Sequence, residues 1–282
     1  ELDEFLITLD GTEQKSKLGG NTILSVSMAF CRAMAKSMGI PLYEYFAKIY
    51  WDDKFKKEDL RLPTPLILVM EGGVHGGWAT DIQEFMIVPA EKKFPLFSER
   101  LRAGAEIFHA IHDILGDKKY DRTVGFEGAF APSEIKSNIE AFDIILQGVE
   151  RAGYKPDTDF KLALDVASSE FFDKESEEYK LVSEKKTFTR EKWLEQQEKW
   201  YSKYPMISIE DPFDQEDWEG WQMFMKKFGK KYQVVGDDLL TTNIARIQKA
   251  ISKKAVNAVL IKLNQIGSVT ETLDAIKTST AA

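Results

Sequence analysis

Four short apolar runs in this sequence stop at, or lead straight into, an ionisable residue: LALD at Asp165, SIED at Glu210 and Asp211, VGDD at Asp237 and Asp238, and LIKLN at Lys262. Taken singly, an acid after an apolar run is usually a turn former or a helix N-cap. The series changes the reading, because charged groups at the ends of successive strands converge on one mouth of a barrel. Carboxylates gathered there repel one another unless a cation sits among them. An oxygen-only donor set without Cys or clustered His selects a hard ion, and Mg²⁺ suits it, with water or substrate completing the octahedron. Asp165, Glu210 and Asp237, each the acid nearer its strand, are the expected Mg²⁺ ligands. Asp211 and Asp238 are left as caps or as acceptors behind them. Lys262 lies inside an apolar run, where an unpaired cation is costly to bury. Near a divalent metal its pKa falls, which is what a general base requires.

Two further acids, Glu84 in DIQEFMIVP and Glu127 in VGFEGAF, precede or interrupt apolar segments. Gly125 and Gly128 let the backbone turn tightly and expose Glu127, although an ordinary surface loop reads the same way. His75 lies in the glycine-rich EGGVHGG, a loop suited to a mobile lid. His109 and His112 ride on a helical segment and read as packing or surface residues.

The elements that must position these groups are α/β in texture. Residues 21–38 form an amphipathic helix closed by Gly39, 41–50 continue helically after Pro41, and 51–62 are a charged, nonperiodic linker. From Pro63 short apolar runs at 64–70, 84–89, 160–167, 206–212, 232–238 and 257–263 alternate with longer helical stretches, including 95–115 before Gly116, 133–152 before Gly153, and 189–203. A doubly wound sheet fits this alternation as well as a barrel does. Neither G-x-G-x-x-G nor a Walker pattern follows any of the runs.

Composition sets the outer bounds. The 282 residues carry 38 Lys and Arg against 46 Asp and Glu, a net charge of −8, which argues against a nucleic-acid surface, since phosphate binding wants a basic face. Apolar residues make up 43%, enough for a sizeable core. The length suits two domains or one barrel. Cys31, the single cysteine, has no partner for an intramolecular disulfide and reads as a small buried hydrophobe, so a cytoplasmic location is expected. No stretch approaches the roughly 18 consecutive apolar residues of a membrane span.

The ordered set LDGTEQKSKLGGNTILSVS, PLYEY, GGVHGG, QEFMIVP, VGFEGAFAP, LALDVASSEFF, SIEDPF, VGDDLLTTN and IKLNQIGS resembles the enolase family, the phosphopyruvate hydratases of glycolysis and gluconeogenesis. The match runs almost the full length, and several motifs in one order are far more specific than any single one. The resemblance implies an incomplete TIM-like (β/α)8 barrel over 63–282, joined by the 51–62 linker to the helical remainder (1–50) of a small α+β N-terminal domain. It implies that Asp165, Glu210 and Asp237 hold the tighter Mg²⁺ and that Lys262 takes the proton from C2 of 2-phosphoglycerate. A Lys or His base with one or two Mg²⁺ ions is a known pattern of this superfamily, so that pairing is not an independent deduction. Glu127 matches the acid that helps the C3 hydroxyl leave, with Glu84 as its partner. Gln83 and His75 match residues lining the substrate pocket. Phosphoenolpyruvate is the other substrate in the reverse direction, and a homodimer is the implied assembly.

The departures are local. The family reads NGGSHAG where this chain has EGGVHGG, and GDEGG where it has GFEGA. Glu71 adds a negative charge, Val74 removes a hydroxyl and Phe126 replaces an acid beside Glu127, which bears on lid closure and on the acid. By resemblance the loop with the serine that binds a second Mg²⁺ precedes Glu1. The last two strands, a second lysine and the SHRSGE-type segment lie beyond Ala282, so a fragment or ordered part of a longer enolase is expected. Two other readings stand beside the lyase. One is an enolase-like subunit with weak or no catalysis, serving a structural or binding role. The other is a superfamily enzyme acting on a different carboxylate, against which ASSEFF and KLNQIGS argue.

Overall fold

The computed structural model describes every residue except Lys136 and the side chain of Asp53. The chain divides into two compact units: Glu1–Arg61 with Leu240–Lys253 and Ala258–Ala282, and Leu62–Leu239 with Lys254–Asn257.

The first unit opens with three helices, α1 (Leu2–Asp10), α2 (Gly20–Ser37) and α3 (Leu42–Trp51). The expected closure of α2 is present. Gly39 takes a left-handed backbone (φ 65) and Ile40 N–H donates to the Ala35 carbonyl at 3.1 Å, satisfying a carbonyl that the helix end would orphan. Cys31 is buried on α2. Two short 3-10 turns, Asp52–Lys54 and Lys57–Asp59, occupy the charged stretch that follows.

The second unit contains β1 (Ile67–Glu71), β2 (Glu84–Pro89), α4 (Phe97–Asp117), α5 (Asn138–Arg151), β3 (Phe160–Asp165), β4 (Phe172–Asp173), β5 (Glu178–Leu181), β6 (Lys186–Phe188), α6 (Arg190–Tyr201), β7 (Met206–Glu210), α7 (Trp218–Phe228) and β8 (Gln233–Gly236). Its main sheet runs β1-β2-β3-β7-β8, and β4-β5-β6 form a separate antiparallel ribbon. β3, β7 and β8 are mutually parallel, with α6 and α7 in the crossovers, which is the repeating β/α unit of a TIM-like barrel. β3 is buried on both faces over most of its length, which explains its nearly continuous apolar run. The sheet is open, and no closed barrel forms among the described residues.

The first two strands depart from simple β/α alternation. β1 pairs antiparallel with β2, and β2 antiparallel with β3. The 72–83 connection carries no helix, and a parallel crossover normally needs one. Consequently it is the first residue of β2, Glu84, that shares a sheet row with the last residues of β1 and β3. After α4 the chain returns along the outer edge of β1, where Glu71 N–H donates to Phe130 O at 2.9 Å and Phe130 N–H to Val69 O at 3.2 Å.

α4 does not stop at Gly116. The helix runs through it, and Lys119 (φ 59) supplies the left-handed residue, with Tyr120 N–H donating to Leu115 O at 2.9 Å. A Cβ at Gly116 would lie 1.5 Å from Arg122 Nη2, the end of an exposed and flexible side chain that can move aside. Gly153 does close α5 as expected, at φ 86. Beneath the β7–α7 connection, Trp193, Trp200, Trp221, Phe213 and Phe224 are fully buried. The indole N–H groups of Trp193 and Trp221 donate to Pro212 O (2.8 Å) and Asp214 O (3.1 Å), so the core also holds the loop leaving β7.

The chain then adds α8 (Ile244–Lys253), β9 (Ala258–Val259), α9 (Leu263–Ile266) and α10 (Val269–Thr280) to the first unit. α10 is bound to the N-terminal helices by Thr270 N–H on Asp3 Oδ2 (2.9 Å), Val269 N–H on Ser27 Oγ (3.1 Å) and the Lys15–Glu271 ion pair (2.9 Å). No single helix among the described residues is long and apolar enough to cross a membrane.

Candidate active site

Paired positions of a β-ladder present their side chains on the same face. Glu84 pairs with Asp165, and Asp165 with Glu210, so three adjacent strands carry one row of carboxylates. β7 ends at Glu210, and Asp211 adopts a left-handed backbone (φ 42) that turns its side chain towards the end of β8. There Asp211 accepts the N–H groups of Asp237 (3.2 Å) and Asp238 (2.7 Å), the capping role expected for it. Asp165 accepts Ala167 N–H on Oδ1 (2.9 Å) and Gln83 Nε2 on Oδ2 (3.1 Å).

These acids form two overlapping groups. Asp165, Glu210 and Asp211 bring oxygens within 4.8 Å of one another, as do Asp211, Asp237 and Asp238. Asp211 is therefore the hinge between the acids of β3 and β7 and those after β8, a closeness that strand-end counting does not show. Asp165, Glu210, Asp211 and Asp237 are all buried. Burial, followed by the charges of Glu210, Asp211, Glu84 and Asp238, holds the Asp165 carboxyl well above its ordinary pKa. Burial and then the charge of Asp238 push Asp211 up to about 8, against the lowering effect of its backbone hydrogen bonds. Buried, like-charged and oxygen-only, this donor set fits a hard divalent cation, which would let the carboxylates ionise together.

A second group meets the first at Glu84. His75, Glu84 and Glu127 also bring side-chain atoms within 4.8 Å of one another. The 72–83 loop folds back on itself through Gly72 N–H on Gln83 O (2.8 Å) and Gly73 N–H on Thr80 O (2.9 Å), which sets His75 over the start of β2. The 125–129 turn is closed by Gly125 N–H on Ala129 O (2.9 Å) and tied to the first loop by Phe126 N–H on His75 O (3.2 Å). His75 Nδ1 then lies 3.5 Å from Glu127 Oε1. Glu127 is exposed, and Phe126 beside it is 82% exposed with its ring centroid 5.9 Å from that of His75. The arrangement places an imidazole and two carboxyl groups, chemistry suited to proton transfer, next to the candidate cation site.

Supporting residues were less visible in the sequence. Asp81 is buried and accepts N–H groups from Ser183 (2.7 Å) and Glu184 (3.2 Å), and Asn138 Oδ1 accepts those of Asp81 and Ile82, both at 3.0 Å. This network anchors the chain just ahead of Gln83 and Glu84. Its partners are 57 and 102 residues away, so no local pattern announces it. Glu71, the residue that adds a negative charge, is buried at the end of β1. His109 is exposed on α4, and His112 contacts Asp113 and Arg122, apart from both groups.

Lys262 belongs to the other unit. The 257–263 run forms a strand only at Ala258–Val259, and Lys262 itself is exposed, at the start of α9, rather than held within an apolar strand. Its N–H donates to Thr242 Oγ1 at 2.9 Å, and Thr242 Oγ1 also lies 3.1 Å from Gln265 Oε1. Buried Thr242, at φ 54, thus fixes the backbone that carries the lysine.

Two protein-family models match the chain. One, described as the enolase N-terminal domain, covers residues 1–46, and the other, the enolase C-terminal TIM barrel domain, covers residues 59–282.

Proposed function

The chain belongs to the enolase family, and from that membership we propose that it catalyses the reversible dehydration of 2-phosphoglycerate to phosphoenolpyruvate with Mg²⁺ as cofactor. The observation that carries this reading is the shared Glu84, which joins the buried carboxylate row, across the ends of β2, β3 and β7, to the His75 and Glu127 group. Asp165, Glu210 and Asp237 are the proposed Mg²⁺ ligands, with Asp211 locking the Asp237 and Asp238 backbone in place. When bound, the ion supplies positive charge where the substrate carboxylate gains negative charge on loss of its α-proton.

This chain's own groups divide the remaining work. Lys262 is assigned the removal of the C2 proton. Glu127 is assigned proton delivery to the departing C3 hydroxyl, and Glu84 shares the proton with it, since two close carboxyls do not both ionise readily. His75 and Gln83 are assigned to the substrate pocket, and Gln83 Nε2 donates to Asp165 Oδ2 at 3.1 Å. The reverse hydration uses the same groups. The family's homodimeric, cytoplasmic setting belongs to the same proposal.

The test mixes purified protein, 2-phosphoglycerate and Mg²⁺ and follows the ultraviolet absorbance of phosphoenolpyruvate, alongside exchange of the C2 proton with deuterated solvent. Turnover is expected. Lys262→Ala should abolish the exchange while Mg²⁺ binding persists, and Glu127→Gln should slow hydroxyl loss more than exchange. Exchange that survives in Lys262→Ala removes the lysine from the base role. A second reading, an enolase-like subunit without catalysis, draws on the exposed Phe126 and Glu127 beside the pocket. Absence of turnover by the intact protein favours it.

A further inference from the structure

Glu71 is 1% exposed at the end of β1, on the same sheet row as Glu84. Its carboxylate is spent on the turn that carries Glu127. Oε1 accepts the N–H groups of Glu127 (3.1 Å) and Ala129 (2.7 Å), and Oε2 lies 3.3 Å from the Glu127 nitrogen. The backbone of the same residue is tied to that segment as well, with Glu71 N–H donating to Phe130 O at 2.9 Å. The approach is close, since a Cβ on Gly125 would lie 2.2 Å from Glu71 Oε2 and 2.8 Å from the His75 carbonyl oxygen. The Gly128 N–H, between those of Glu127 and Ala129, donates to Gly125 O at 3.3 Å, within the turn itself, and charge-assisted bonds to a carboxylate are about twice as strong as neutral ones.

We propose that Glu71 is a positioning residue for Glu127: its buried carboxylate fixes the 125–129 turn so that the Glu127 side chain is held against His75 and Glu84. The proposal rests on the reading of Glu127 as the acid for hydroxyl departure. The negative charge that distinguishes EGGVHGG from the family's NGGSHAG is thereby absorbed by backbone N–H groups, and the departure becomes a second anchor for the acid. The anchor also compensates for Phe126 and the two glycines, which offer the turn no polar side chain of their own to hold it.

The experiment compares wild type with Glu71→Ala, Glu71→Gln and Glu71→Asp. Amide hydrogen exchange over 125–129 reads the turn, and the two reaction steps read its consequence. Glu71→Ala should lose protection at the Glu127 and Ala129 amides. It should also lower kcat for dehydration about tenfold to a hundredfold, the scale of an ångström-level misplacement, with KM within about twofold and C2 exchange near wild type. Glu71→Gln, which keeps one acceptor oxygen, should fall between, and serves if Glu71→Ala does not fold. Glu71→Asp should recover dehydration in step with any amide protection it recovers. An active wild type whose Glu71 variants slow exchange and dehydration equally, or keep full amide protection, overturns the positioning role. A wild type that forms no phosphoenolpyruvate instead overturns the underlying assignment of function.

Discussion

Asp165 is buried among the acids of its neighbouring strands and keeps its proton far above the ordinary carboxylate range, because burial and four nearby acids all disfavour its charge. Its two oxygens are also hydrogen-bonded, to Ala167 N–H and Gln83 Nε2, so the residue joins the Gln83 amide to the strand row. Replacing it by Asn keeps the volume and removes the charge. Asp165→Asn should therefore melt higher than wild type in the presence of a chelator at neutral or higher pH, by about 1 kcal/mol or more of stability, and should respond much less to added Mg²⁺. Differential scanning calorimetry with chelator and with Mg²⁺ reads both effects. A variant stabilised by Mg²⁺ as strongly as wild type would take Asp165 out of the ligand set.

At the scale of elements, the connection between β1 and β2 decides the site. It must reverse the chain, present His75 and return in register to place Gln83 and Glu84. Gly72 makes the reversal possible, since a Cβ there would meet Thr80 Oγ1 at 1.8 Å and the Ile82 and Thr80 carbonyl oxygens at 2.5 and 2.8 Å. Two of those atoms are backbone and cannot rotate away. Gly72→Ala should cost about 1–3 kcal/mol of stability and lower the proposed turnover by displacing His75, while Mg²⁺ affinity, assigned under the proposal to the acids at the ends of β3, β7 and β8, stays near wild type. Thermal melts, kinetics and a cation titration separate these, and loss of Mg²⁺ affinity equal to the loss of turnover would refute the division. The same connection shows what the sequence could and could not disclose. The apolar runs and their terminal acids were legible, because burial on both faces writes strands as continuous hydrophobic stretches, and the glycine closures of α2 and α5 were legible because a positive φ demands them. The antiparallel course of β2 was not, because a run of apolar residues carries no direction. Gly116 misled because a glycine in a sequence does not disclose its φ, and the left-handed residue after α4 is Lys119 instead. The grouping of Asp211 with both sets of acids, and the Asp81–Asn138 anchor, depend on contacts between distant segments that no local periodicity encodes.

Over the whole molecule, a net charge of −8 disfavours gathering acids in one buried place, yet four of them lie below a tenth of their full exposure in the candidate cation site. Asp211 titrates near 8 in the folded chain, whereas an unfolded aspartate titrates near 3.8, and Asp165 is displaced in the same direction. Between those limits the folded protein holds protons that the unfolded chain has already lost. Stability of the cation-free protein should therefore be full below about pH 4 as far as these groups are concerned, and decline as pH rises towards 8. A divalent cation must displace those protons to bind, so Mg²⁺ affinity should strengthen over the same interval and binding at neutral pH should release protons. Titration calorimetry in two buffers of different ionisation enthalpy measures that release. Thermal melts from pH 5 to pH 9, about the span of the Asp211 shift, with chelator and with Mg²⁺, should diverge as pH rises, the cation adding most where the free carboxylates repel most. Parallel melting curves, or heats independent of the buffer, would mean that the buried acids already share their charge with groups of the protein itself and that the site does not depend on a cation.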